Sequence, residues 1–229
     1  MNPSHLVVDD AIASRRSIRR FLPDAVPEAM VREILSIAGN APSGTNMQPW
    51  RVVVLAGERK SAVSRAALAE HHQLGRKKLA GEYEYYPEPF PEPYLTRRRK
   101  VGWGLYGSLG IEKGDSKDMH EQSGRNFLFF DAPVGLIFTV DRVLKIGSWL
   151  DYGAFLQSIA IAARGRGLDT CIQAAFARVH GVLRNELGIP QTQVVVCGMS
   201  MGYAVKSAPE NTFPIDRVPL DEFATFDGF

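Results

Sequence analysis

Residues 147–166 carry the longest helical pattern in the chain, and little of it is polar. Trp149, Ala154, Phe155, Ile159, Ala162 and Ala163 make a wide apolar surface, and its small residues let another helix approach closely. A helix this apolar is buried, so the rest of the chain must be built around it, with a second copy of the chain as one possible cover. The strand candidates have the same character. Residues 51–56, 134–140 and 193–199 hold apolar runs, the pattern of strands covered on both faces. Helical patterns over residues 9–16, 27–38, 58–80 and 178–187 surround them. In the second of these, Pro27 and Glu28 suit a first turn, Met30, Ile34, Leu35 and Ala38 share one face, and Gly39 ends the helix. Residues 126–130 are expected to close another helix, and 167–175 to form a turn with a short strand. The pattern is α+β.

Length and charge narrow the function classes. At 229 residues the chain reads as one domain over 1–229, with an excursion at about 81–124 and a tail at about 206–229. A net charge of +2 gives no electrostatic case for nucleic acid or a membrane surface. No apolar run approaches the roughly 18 residues of a membrane span. Cys171 and Cys197 lie in apolar surroundings and read as buried thiols, which fits a reducing cytoplasm. The opening Met1-Asn2-Pro3-Ser4-His5 lacks the basic-then-apolar order of a secretion signal.

Two stretches are dense in groups that bind ligands. Pro42-Ser43-Gly44-Thr45-Asn46-Met47-Gln48-Pro49-Trp50 joins a helix to a strand with more hydrogen-bonding side chains than a connector needs, and reads as a ligand-binding loop or as a capped, rigid one. Arg15-Arg16-Ser17-Ile18-Arg19-Arg20-Phe21 clusters guanidinium and hydroxyl donors that suit phosphate oxygens, or a solvated basic turn. The excursion opens with three tyrosines, four prolines and Phe90 between residues 83 and 93, followed by Arg97-Arg98-Arg99-Lys100. Tyr86, Phe90, Tyr94, Trp103 and Tyr106 can wall an aromatic pocket, or simply pack the excursion onto the domain. The basic run can attract carboxylated aromatics. The aromatic-rich tail is expected to wrap a neighbouring subunit and add a strand at a sheet edge.

Other motifs fail on context. Gly102-Trp103-Gly104-Leu105-Tyr106-Gly107 has the spacing of a dinucleotide fingerprint, but no strand precedes it. Gly198-Met199-Ser200-Met201-Gly202 resembles a nucleophile elbow, yet the last histidine, His180, lies before the serine. The five histidines show no metal-ligand spacing, and adjacent His71 and His72 are expected to point apart on a helix. No carboxylate pair stands out. A pocket-building chain without an evident acid, base or metal site implies that a cofactor does the chemistry.

The Arg15–Phe21 start, the Pro42–Trp50 loop, Gly167-Leu168-Asp169-Thr170-Cys171-Ile172-Gln173, residues 198–203 and the Arg217 tail together resemble the FMN-dependent nitroreductase family. The excursion resembles the nitrobenzoate and dinitroaniline reductase branch. The resemblance implies a three-layer nitroreductase-like fold, with a mixed sheet between helices, in an intertwined homodimer. It also implies FMN at the dimer interface, with NADH or NADPH as the reductant. Arg15, Arg16 and Ser17 match phosphate and ribityl contacts, and Arg19 the basic residue at the flavin N1/O2 edge. Pro42, Ser43, Thr45, Asn46 and Gln48 match the loop that the other subunit lays against the ring. Gln173 and Ala174 match the strand end facing N5, Arg217 the tail arginine on the phosphate, and Arg125 or Asn126 the polar contact at the pyrimidine edge. Tyr94, Trp103 and Tyr106 become the substrate lid. Ile215, Ile172 and Ala174 depart from residues seen in other members. The implied reaction takes aromatic nitro groups to nitroso and hydroxylamine, with reductant and nitroarene using one open ring face in turn. Quinone, alkene or aryl-halide reduction, or a non-catalytic flavin carrier, remain open.

Overall fold

The computed structural model describes residues 8–75 and 81–229. The expectations for Met1–His5 and for the end of the 58–80 helix lie outside them.

The apolar runs assemble into one sheet of β1 (Arg51–Ala56), β2 (Val134–Asp141), β3 (Asp169–Gln173) and β4 (Gln193–Gly202), in the order β1-β2-β4-β3. All three pairings are antiparallel. The mixed character implied by the resemblance reduces to one parallel bridge, Ser17 to Thr170, because the chain then turns at Phe21 to bridge Ala204 antiparallel. The helices are α1 (Val8–Ser14), α2 (Glu28–Ala38), α3 (Gly57–Leu74), α4 (Tyr94–Ser108), α5 (Ser116–Gly124), α6 (Ile146–Arg164), α7 (His180–Leu187) and α8 (Pro209–Thr212).

Two cores lie on the two faces of the sheet. Leu136, Phe138 and Val140 of β2 and Met199 and Met201 of β4 meet Val31 and Ile34 of α2 and Phe155 and Ile159 of α6. Ile137 and Val195 point the other way, to Val63 and Ala67 of α3, Leu183 of α7 and the rings of Phe127, Phe129 and Phe176. Helices, sheet and helices thus form three layers. Central β2 and β4 are buried nearly throughout, as their sequence predicts. β1 is not. It is an edge strand paired on one side only, and Val54 is 44% exposed.

Local chemistry explains several boundaries. Residues 126–130 do not close a helix; Arg125–Asp131 is a tight 3-10 run with Phe129, Phe130 and Asp131 at positive φ. The 178–187 helix begins only at His180, after a 3-10 turn over Ala174–Val179. The elbow-like glycines serve packing instead: a Cβ on Gly198 would sit 2.3 Å from the Phe176 ring, and one on Gly202 2.6 Å from Pro133. Ser200 is fully buried between them. The fingerprint-like glycines fall inside α4.

Candidate active site

The arginine segment lies along β3. Ile18 and Phe21 are buried and anchor it, and the Ile18 N–H donates to the Thr170 carbonyl at 3.1 Å. Arg15, Ser17 and Arg19 converge around the buried Cys171 thiol, which burial pushes up in pKa against the pull of Arg19, Ser17 and Arg15. The Arg15 pKa is lowered, first by burial and then by the nearby positive charge of Arg217 from the tail. Neither arginine has a carboxylate partner among the described residues. Arg217 donates to the Asp216 carbonyl at 2.9 Å. Arg217 is exposed, and its charge acts on Arg15 with no carboxylate paired to either among the described residues.

The other arginines of the run have different partners. Arg16 donates to the Phe213 carbonyl. The Arg19 guanidinium donates to the Ser17 carbonyl at 3.2 Å and lies 5.9 Å from the Phe213 ring centroid. Arg20 is neutralised by Asp131 at 3.0 Å and Glu210 at 3.1 Å. Asn211, which the sequence did not single out, positions the segment. Its Oδ1 accepts the Arg19 N–H at 2.7 Å, and its Nδ2 donates to the Arg20 and Val205 carbonyls. A contact spanning 192 residues leaves no local signal to read.

Gln173 is buried, and its side chain is fully committed. Nε2 donates to the Asn126 carbonyl at 2.7 Å, and Oε1 accepts from Ser200 Oγ at 2.7 Å. What remains to face a ligand is its backbone and that of Ala174. The same contact separates the two pyrimidine-edge candidates. Asn126 is beside Gln173, whereas Arg125 pairs with Asp131 at 2.9 Å and lines a different cavity, of about 320 Å³.

The Ser43–Gln48 stretch is strained and exposed. Thr45, Asn46 and Gln48 all have positive φ, which costs free energy in non-glycine residues. Short-range bonds hold it: the Gln48 N–H donates to Ser43 Oγ at 3.0 Å and the Gln48 amide to the Asn46 carbonyl at 3.1 Å. Pro42 precedes this turn and Trp50 follows it, stacked on Phe155 at 4.6 Å. The Gly44 N–H donates to Asp151 near the start of α6. The arginine segment attaches to the other end of that helix, where Arg164 donates to Ser14 at 2.9 Å. Thirteen residues of helix put these attachments about 20 Å apart.

The lid candidates are on α4, with Tyr94 and Trp103 exposed and Tyr106 half-buried, its hydroxyl pKa raised by burial. Trp103 and Tyr106 lie 6.0 Å apart. The larger aromatic cavity is elsewhere: about 550 Å³, walled by Tyr83, Tyr85, Trp149 and Tyr152 and floored by Ile172 and Ala174. Three of the four residues of the basic run have partners among the described residues. Arg97 pairs with Glu222, Lys100 with Asp216, and Arg98 lies over the Phe90 and Tyr86 rings. His71 and His72, expected to diverge, both contact the His120 ring, which stacks on His71 at 4.0 Å. Among the described residues no cluster of His, Cys, Asp and Glu is placed to hold a metal. None of the described helices is long and apolar enough to cross a membrane.

Residues 12–203 match the Nitroreductase family. The chain belongs to that family. Over 224 residues, 98% of both chains, it is 46% identical to a nitrobenzene nitroreductase of Ectopseudomonas oleovorans. It is 42% identical over 96% of both chains to a 4-nitrobenzoate reductase of Pseudomonas putida. The structure of an FMN- and NADPH-dependent nitroreductase, NfnB of a Sphingopyxis strain, superposes with a TM-score of 0.93 at 38% identity, covering 98% of this chain and all of the other. In this nitroreductase, then, the Arg15 and Arg217 charges, the Gln173 strand end and the aromatic cavity are the features to be explained.

Proposed function

We propose that this nitroreductase binds FMN, takes electrons from NADH or NADPH and reduces aromatic nitro groups to nitroso and hydroxylamine. The observation that carries the reading is the Arg15–Arg217 pair, two guanidinium groups from distant parts of the chain with no carboxylate on either among the described residues. A phosphate of nearly two negative charges relieves their repulsion and accepts charge-assisted bonds from both, with Ser17 Oγ as a further donor. Bound FMN supplies the two-electron hydride chemistry that no side-chain constellation here supplies. Arg19 offers positive charge at one ring edge. Gln173, fixed by Ser200 and Asn126, presents its backbone and Ala174 at the other. The end-to-end likeness to relatives named for nitrobenzene, for 4-nitrobenzoate and for FMN and NADPH supports both cofactor and substrate class.

The working unit in this reading is a homodimer. Ile146 and Leu150 on α6 are 84% and 79% exposed, and Val143 and Ile172 add to an apolar surface that water should not face. The Pro42–Gln48 loop, attached at the far end of α6 from the arginines, then serves the partner's ring rather than its own. Residues 81–124 act as the lid and 206–229 as the strap on one domain. Two free buried cysteines suit the cytoplasm.

The purified protein should be yellow, release FMN on denaturation, and oxidise NADPH or NADH when nitrobenzene is added. Arg15→Ala and Arg217→Ala should each weaken FMN affinity about 10- to 100-fold, the effect of losing one charge-assisted contact. A colourless protein that takes up no added FMN overturns the reading.

A further inference from the structure

The lid helix presents a cationic face that the tail cancels. Arg97, Lys100 and Gly104 of α4 are spaced three and four apart and so share a side. That side faces the C-terminal segment. Arg97 Nη2 is 3.4 Å from Glu222 Oε2, and Lys100 Nζ pairs with Asp216 Oδ2. At Gly104 the missing side chain lets the Phe213 ring approach to 3.2 Å of where a Cβ would be. Phe213 is also where the cofactor arginines meet the tail, through the Arg16 bond to its carbonyl and the Arg19 guanidinium over its ring. The paired face of α4 is therefore one ring away from the arginine cluster.

Both ion pairs are solvent-exposed, with side-chain exposures between 47% and 72%, so they contribute little to folding. Their effect is on the local field. Residues 81–124 carry eight Asp and Glu against six Lys and Arg, and residues 206–229 carry five against two, in a chain whose net charge is +2. Lid and tail together are acidic despite the Arg97–Lys100 run, and within a Debye length such a surface repels anions.

We propose that Asp216 and Glu222 are specificity-determining residues: by pairing with Lys100 and Arg97 they remove positive charge from the lid, so that the enzyme favours uncharged nitroarenes over carboxylated ones. The proposal rests on the nitroarene reading above and sharpens its substrate class. It reverses the expectation that the basic run recruits carboxylates.

The test compares kcat/KM for 4-nitrobenzoate and nitrobenzene on FMN-loaded enzyme at low ionic strength, with flavin content checked by absorbance. The wild type should favour nitrobenzene. Asp216→Asn with Glu222→Gln should raise the 4-nitrobenzoate-to-nitrobenzene ratio about fivefold, from two cations freed within a Debye length, and high salt should erase the gain. Adding Arg97→Gln and Lys100→Gln, which deletes both pairs, should return the ratio to the wild-type value. A ratio that the double variant leaves unmoved, or a wild type that favours 4-nitrobenzoate, overturns the proposal while leaving nitroarene reduction intact. A wild type that reduces neither compound overturns the nitroarene reading, and this inference with it.

Discussion

The root of the 81–124 excursion and its helix α4 are attached by different physics. At the root, the Glu82 side chain is only 6% exposed; it accepts from Arg184 at 2.5 Å, from Arg142 and from the Val195 N–H at 2.9 Å. Next to it the Tyr83 hydroxyl donates to the Val196 carbonyl at 2.6 Å, and its ring meets Trp149 at 4.6 Å. These contacts tie the root to the buried strand β4. Helix α4 has no buried residue; its attachments include exposed ion pairs, Arg98 over the Phe90 and Tyr86 rings, and the Phe213 ring against Gly104. The lid role proposed for this excursion needs this division: a root that unfolds only with the core, and a helix that shifts at little cost.

The largest test of the contrast is Glu82→Ala. It leaves Arg184, itself 6% exposed, without its buried counter-charge, and breaking one side of such a pair costs about 3–5 kcal/mol. Thermal unfolding should shift down by about 10 °C. The pH dependence has a definite sign. Burial pushes the Glu82 carboxyl up, but the Val195 N–H and the Arg142 and Arg184 guanidinium groups outweigh it, so its pKa is lowered. A depressed carboxyl pKa contributes stability that is present above the unfolded value near 4.5 and lost as pH falls through the folded one. Urea denaturation should therefore show the wild-type advantage over Glu82→Gln shrinking below about pH 4.5. An Ala variant as stable as wild type would place the root in the same class as the helix.

Tyr83→Phe comes next. It removes one partly buried hydrogen bond and leaves the Val196 carbonyl to find another donor, a loss of about 1 kcal/mol in chemical denaturation. Its ring still walls the 550 Å³ cavity, so turnover should change less than stability does.

The difference between root and helix was not legible in the sequence, and the reason is distance. Periodicity and punctuation place the helices and central strands because those signals are local: Gly39 after α2, and the apolar runs of β2 and β4. Edge position is not local, so β1 read like β2. By residue type alone the arginine run reads as an anion site or a solvated basic turn, and the Pro42–Trp50 loop as ligand-binding chemistry or a rigid connector. Their supports were not legible. Asn211, Asp151, Glu82 and Asp216 each act across a hundred residues or more, and nothing near them in sequence marks an isolated polar side chain as a brace. The Arg97–Lys100 run is the same case: a charge run shows its own sign but not its partners.

The smallest expected effect on overall stability is also the most discriminating. Gly102 lies inside α4, and a Cβ there meets nothing within 4 Å. Gly102→Ala should therefore stabilise the helix by about 0.5–1 kcal/mol through backbone entropy alone. If α4 opens independently of the core, that gain belongs to the local equilibrium. Amide hydrogen exchange within residues 94–108 should slow several-fold while the global unfolding midpoint barely moves. If α4 instead unfolds together with β4, as the Glu82 root does, the same substitution should raise the global midpoint by the full increment and leave the ratio of exchange rates between helix and strand unchanged. If α4 acts as the proposed lid, the enzyme should also turn over more slowly once the helix is stiffened, so a parallel fall in kcat without loss of bound flavin would tie the mobility of α4 to the reaction cycle.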